Sequence, residues 1–164
     1  MRHAIEYEII QNPALGAAAI VHAVVEYYKV TQEGMPLPMV MAVLPMVLNR
    51  KTTELIFRKN MVGGSLRKVI GEDRTLSAGL QRRMEGMANL TFRSLNIAVS
   101  CKNCLGMRYN GLVEIIPLRR TVDAKSMGYV DGDTTQIMSA AKRIGSWFGQ
   151  FEMSEICRQL DLRF

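Results

Sequence analysis

Residues 35–48 read MPLPMVMAVLPMVL, fourteen positions without a charge, and the run stops at Asn49-Arg50-Lys51. It is shorter than the roughly 20 apolar residues that a membrane-spanning helix needs. It has no polar face, so a helix over Met35–Leu48 must be covered on nearly all sides. The quartet Leu-Pro-Met-Val occurs at 37–40 and again at 44–47, which returns both copies to nearly the same helical face. Pro36 and Pro38 suit a first turn, where a missing amide hydrogen costs little. Pro45 sits deeper and predicts a kinked or loosened turn. A helix this apolar is either the core of the chain or shared with a partner.

On its N-terminal side, Asn12-Pro13 is a helix start, with Asn as cap and Pro pre-set for the first turn. The helix should run from Pro13 to about Thr31, with Leu15, Ala18, Ala19, His22, Val25 and Tyr28 on one face. Ala17, Ala18 and Ala19 are small enough to let another helix come close. His22 has no acidic partner at helical spacing, so a neutral core histidine with one hydrogen bond is the plain expectation. Glu33-Gly34 ends the element. Before it, Ile5, Tyr7 and Ile9 alternate with Glu6 and Glu8, the pattern of a short edge strand or an extended arm.

On its C-terminal side, Thr52–Phe57 predicts a short helix with a Thr cap and an acid in its first turn. Gly63-Gly64 breaks the chain, and Ser65 caps a second short helix that Gly71 closes. Two short helices about a glycine-containing turn suggest a helix-turn-helix with a lengthened connection. From Thr75 to about Cys101, Leu76, Leu80, Met84, Met87, Thr91, Leu95 and Ala98 fall at alternating threes and fours. That spacing predicts one long amphipathic helix, with Arg82, Arg83 and Arg93 on its far face.

Tyr109-Asn110-Gly111-Leu112 signals a two-residue type I′ hairpin, pairing Leu105–Tyr109 with Leu112–Ile116. Leu105 then faces Ile116, Tyr109 faces Leu112, and Pro117 ends the second strand. Asp133-Thr134-Thr135-Gln136 outlines a capping box for a helix from Thr134 to Phe148 with Ile137, Ala140, Ala141, Ile144 and Phe148 inward. Ser154 caps a last helix through Leu160. The sum is a mainly α (α+β) fold, a helical domain of winged-helix type with one β-hairpin. That assignment rests on element order and fixes no function. The length of 164 residues fits a single domain. Within it, 1–34 form an arm and helix, 35–117 the helices and hairpin, and 118–164 the C-terminal helices.

Composition narrows the chemistry. Three cysteines, an odd number, fit a reducing cytoplasm better than a disulfide framework. The N-terminus has an early acid and no apolar run of the secretory kind. Cys101-Lys102-Asn103-Cys104 is half a zinc site, and Cys157, His3 and His22 form no second pair, so a structural role is expected and no metal or cofactor. There is no phosphate loop, nucleophile elbow, His-x-x-x-His or paired-carboxylate pattern. The net charge of +6 points to an acidic partner or nucleic acid.

Asn12-Pro13-Ala14-Leu15, then Met35-Pro36-Leu37-Pro38 with Val43-Leu44-Pro45-Met46-Val47-Leu48, then Leu160-Asp161-Leu162-Arg163-Phe164 resemble the middle component of bacterial three-component ABC systems. Those systems include anti-phage defence operons of the Lamassu type. The likeness covers both ends and the first third, and the middle in outline. Met39, Met46 and Asp161 stand where the family often has leucines and a glycine. The resemblance implies a small non-catalytic accessory subunit working with an SMC-like ABC ATPase and an effector, commonly a nuclease, with no catalytic residue carried over. A freestanding winged-helix transcriptional regulator is the alternative, and a small metal or thiol enzyme around Cys101 and Cys104 a third. For the assembly reading, Leu37, Pro38, Leu44 and Pro45 are the candidate partner surface. Arg82, Arg83, Arg119 and Arg120 are the candidate contacts to double-stranded DNA, gathered if the hairpin lies beside the long helix.

Overall fold

Asn12 opens the first helix of the described residues. Its Oδ1 accepts from the Ala14 and Leu15 amides at 2.9 and 3.3 Å, and Pro13 takes the first helical position of α1, Pro13–Thr31. The computed structural model describes residues 12–59, 66–101, 104–119 and 132–164; the alternating residues Ile5, Tyr7 and Ile9 lie outside them.

Every residue of α1 from Leu15 to Val25 is buried. This corrects the one-faced reading of that helix, and it makes α1, rather than residues 35–48, the element that the others surround. It is covered by α2 (Leu37–Val47), α5 (Leu80–Ser100), α6 (Gly132–Phe148) and strand β3 (Val113–Pro117). Small residues permit that enclosure. A Cβ on Gly16 would lie 2.2 Å from Ser94 Oγ of α5, and one on Gly145 would lie 2.1 Å from the Ala23 carbonyl oxygen. At both crossings the helices approach as closely as a missing side chain allows.

The apolar run itself divides. Met35–Pro36 is strand β1, and the helix begins only at Leu37. A residue before proline is pushed from the helical to the extended region, which explains Met35. Pro45 stays inside α2, and Leu48 N still donates to Leu44 O at 2.9 Å. Residues 39, 40 and 42–47 are buried, so the run packs within its own chain. Its last carbonyls are met by the next helix: Thr52 Oγ1 donates to Met46 O, and Thr53 Oγ1 donates to Val47 O at 2.6 Å. Those hydroxyls are therefore not helix caps. Helix α3, Arg50–Phe57, starts two residues earlier than expected, and Asn49 Oδ1 accepts from Thr52 N at 3.2 Å.

Helix α4 spans Leu66–Glu72, with the expected cap Ser65 outside the described residues. Arg74–Leu76 is a separate 3-10 turn, and Gly79 at φ +66° lets the chain turn before α5. The long helix thus begins at Leu80 rather than Thr75. Its expected stripe faces the core: Leu76, Leu80, Met84, Thr91, Leu95 and Ala98 are buried and Met87 half-buried. Helix α6 begins at Gly132 and α7 spans Met153–Leu160, each a residue or two before its expected start. Asp161 in the left-handed region ends α7, and Leu162 N bonds back to Cys157 O at 2.8 Å.

The sheet has three antiparallel strands in the order β1–β3–β2, with β2 spanning Leu105–Tyr109. The third strand comes from Met35–Pro36, which pairs with Ile115 and Glu114. In the hairpin Tyr109 faces Val113 and Leu105 faces Pro117, one residue off the expected register. A type I′ turn needs positive φ at both central residues. Among the described residues only Gly111 of this turn has it, at +76°, so the loop takes three residues. No helix among the described residues is long and apolar enough to cross a membrane.

Candidate functional site

The hairpin carries the most conspicuous exposed surface. One-residue slippage turns every side chain of a strand over. The observed register puts Leu105, Met107 and Tyr109 on one face with Val113, Ile115 and Pro117 opposite. At the base, Leu105 and Ile115 enter the core beside Met35. Toward the tip that face runs out of core: Met107 is 62% and Tyr109 78% exposed, while Leu112 in the turn and Leu118 at the base, on the side of Gly106, are exposed too. On the other face Arg108 donates to Glu114 Oε2 through Nε at 2.9 Å and Nη2 at 2.6 Å. The one cation of the hairpin strands is thereby neutralised. Sequence pattern identified the hairpin but not this overhang, because the turn register decides which side chains leave the body.

The backbone phase of the ladder follows from its ends. Leu118 N donates to Cys104 O, and Asn110 N donates to Leu112 O, both at 3.1 Å. Bonded and non-bonded pairs alternate along an antiparallel ladder. Gly106 and Arg108 therefore turn their amide and carbonyl groups toward β3, and Leu105, Met107 and Tyr109 turn theirs away.

The basic candidates are dispersed. Arg83 is half-buried, and its Nη1 and Nη2 donate to Ala78 O at 2.8 Å and Leu76 O at 3.4 Å. It fastens the turn before α5, and burial lowers its guanidinium pKa. Arg82 is exposed at that N-terminal end. Arg119 is exposed at the other end, where its charge acts on Cys104 just past the α5 C-terminus. A helix rises about 1.5 Å per residue, so Arg82 and the end of α5 are about 27 Å apart. The structure does not gather these arginines into one local patch. Arg120 lies outside the described residues. Other basic residues are engaged locally: Arg67 pairs with Glu155, Lys59 with Glu72, and Arg143 Nε donates to Lys59 O at 2.5 Å while its guanidinium lies 5.5 Å from the Phe57 ring. Helix α5 also exposes a polar stripe of Arg82, Gly86, Asn89, Arg93, Asn96 and Ser100 at helical spacing, flanked by exposed Glu85, Phe92 and Ile97.

Of the apolar candidates, Leu44 and Pro45 are buried in the core, and Leu44 Cδ1 lies against Gly16. Leu37 and Pro38 are half-buried at the start of α2 beside β1. Only that pair of the four has side-chain surface for a partner.

Cys101 is exposed, Cys104 is half-buried, and Cys104 N bonds to Cys101 O at 3.2 Å. Burial, then the neighbouring Cys101 thiol, raise the Cys104 pKa, the opposite of an activated thiolate. No group of three or more potential metal ligands occurs among the described residues. His22 is buried in α1. Burial, then the Lys142 and Lys29 charges, push its pKa down to about 4, and its Nε2 has no hydrogen-bond partner among the described residues.

No match was found among curated proteins or solved structures. The family model described as ABC-three component (ABC-3C) system Middle Component 3 matches residues 2–164. A mainly helical chain with a small antiparallel sheet, matched over almost its whole length, belongs to the Middle Component 3 family of ABC-three component systems.

Proposed function

We propose that the chain is a non-catalytic assembly subunit that bridges an SMC-like ABC ATPase and an effector, commonly a nuclease, in the cytoplasm. The order helix, strand, helices, hairpin, with β3 between β1 and β2, supports a winged-helix type of domain in which the hairpin is the wing. The observation that carries the assembly reading is the chemistry of that wing. A wing that follows a DNA backbone presents free cations to phosphate. This one presents Met107, Tyr109 and Leu112, with Arg108 held by Glu114. Exposed aromatic and methionine side chains suit a protein partner.

The test is co-expression of the tagged chain with the other two components of its system. The expected result is a stable ternary complex, and loss of the chain should separate ATPase from effector. A chain that purifies alone, as a homodimer selective for one DNA sequence, would establish the freestanding regulator instead.

A second reading has its own observation. The polar stripe on α5 carries Arg82 and Arg93 on one face, which favours a non-specific contact to duplex DNA within the complex. Each phosphate contact removed should lower the salt dependence of binding by about one unit of slope. Arg82→Ala with Arg93→Ala should therefore lower it by about two, and Arg83→Ala, held inside its own turn, should leave it unchanged. An unaltered slope in the double variant overturns the DNA contact.

A further inference from the structure

We propose that strand β2 accepts an added β-strand from one of the other components, so that the sheet of this chain continues into its partner. The proposal rests on the assembly reading and specifies how one contact is made. Among the described residues strand β2 is the edge of the sheet, since the order is β1–β3–β2. Its Met107 and Tyr109 amide and carbonyl groups point away from β3, as the phase of the ladder fixes, and both residues are exposed. Edge strands are ordinarily protected by lysine, proline, a bulge or an inward-pointing charge. Between Leu105 and Tyr109 there is no lysine or proline, and the one charge is spent on Glu114.

An incoming strand would bond to two donors and two acceptors of this edge and lay alternate side chains over Met107 and Tyr109. The partner segment is therefore extended, with apolar residues at every second position. Charge adds its polarity. Arg119 is exposed at the base of the hairpin and makes no ion pair among the described residues, while the tip is uncharged. The segment carries an acidic residue at the end beside Leu105. A second copy of this chain suits the edge less well. Self-pairing about Met107 would set Arg119 of one copy beside the uncharged tip of the other, with no acid to meet it, between chains of charge +6 each.

The experiment uses the full chain with the ATPase and effector components of its own system. Met107→Pro removes one edge amide and leaves the bonds to β3 intact; Met107→Ala keeps the amide and removes the side chain. The expected result is a loss of at least 100-fold in affinity for one component with Met107→Pro, at most about 10-fold with Met107→Ala, and about 10-fold with Arg119→Glu. Amide exchange on the wild-type chain gives an independent readout that no folding defect can imitate. The Met107 and Tyr109 amides should exchange freely alone and become protected in the complex. Equal binding by Met107→Pro, or edge amides still unprotected in a complex that forms, overturns strand addition while leaving the assembly reading in place. So does a wild-type dimer that Met107→Pro converts to a monomer. If the wild-type chain binds neither component, the assembly reading fails, and strand addition fails with it.

Discussion

Gly145→Ala adds one methyl group where α6 crosses α1. The new carbon would lie 2.1 Å from the Ala23 carbonyl oxygen, 2.8 Å from its carbonyl carbon and 2.9 Å from its Cα. Ordinary contact is well over 3 Å, so the helices must part by about an ångström. The obstacle is backbone on both sides, which no rotamer change relieves. Overpacking of this kind costs about 3 kcal/mol, and alanine returns about 1 kcal/mol of helix propensity over glycine. The net loss is about 2 kcal/mol, which for a chain of this size lowers Tm by about 4–8 °C. Gly86→Ala is the internal control. Gly86 lies in the middle of α5 with nothing within 4 Å of a new methyl, so the same substitution should raise stability by about 1 kcal/mol. Urea titration with thermal melting measures both. A neutral or stabilising Gly145→Ala would refute a backbone-to-backbone contact at this crossing, and with it the enclosure of α1 by small residues.

Leu44→Ala should cost about 2–5 kcal/mol by denaturant titration, because Leu44 is fully buried against Gly16; a value under 1 kcal/mol would remove α2 from the core. His22 has a folded pKa of about 4 against 6.5 unfolded, so the unfolded chain binds the extra proton. The stability this gives is complete above pH 6.5 and falls as pH drops toward 4, by about 3 kcal/mol at most. His22→Gln should flatten the pH dependence of the urea midpoint over that window, and an unchanged slope would show that His22 is solvated. Cys101→Ser with Cys104→Ser should fold with an unaltered melting temperature, and metal analysis of the wild-type chain should find no zinc; one equivalent per chain, lost in the variant together with stability, would contradict this.

Local signals served where the cause of structure is local. Asn12-Pro13 marked the start of α1, the three-four spacing marked the buried stripe of α5, and Asn-Gly marked the hairpin. Other features depend on something distant or finer. Whether Asn110 joins Gly111 at positive φ is a matter of one dihedral angle, yet it moves the register and hence Met107 and Tyr109. That α1 is covered on every side depends on α6, whose Gly145 fits over Ala23. Arg83 belonged with Arg82 in the sequence as one basic pair. In three dimensions the carbonyls of Leu76 and Ala78 claim it, through a turn at Gly79 that periodicity alone ran straight through. Arg119 and Arg82 could be imagined side by side until the length of α5 set them at opposite ends.

The enclosure of α1 also bears on how the chain is made. Ala23 leaves the ribosome well before Gly145, which covers it from roughly 120 residues downstream. At a synthesis rate of about 5–20 residues per second, this apolar helix waits about 6–24 s for its last wall. During that interval α2 and α5 can shield two of its sides while a third lies open along Ala19, Ala23 and their neighbours. Nascent chains stalled before α6 should therefore bind holdase chaperones or aggregate, and those stalled after it should not. Truncation within α6 would have the same consequence permanently. The C-terminal third is thus the seal on a core whose central helix was synthesised first.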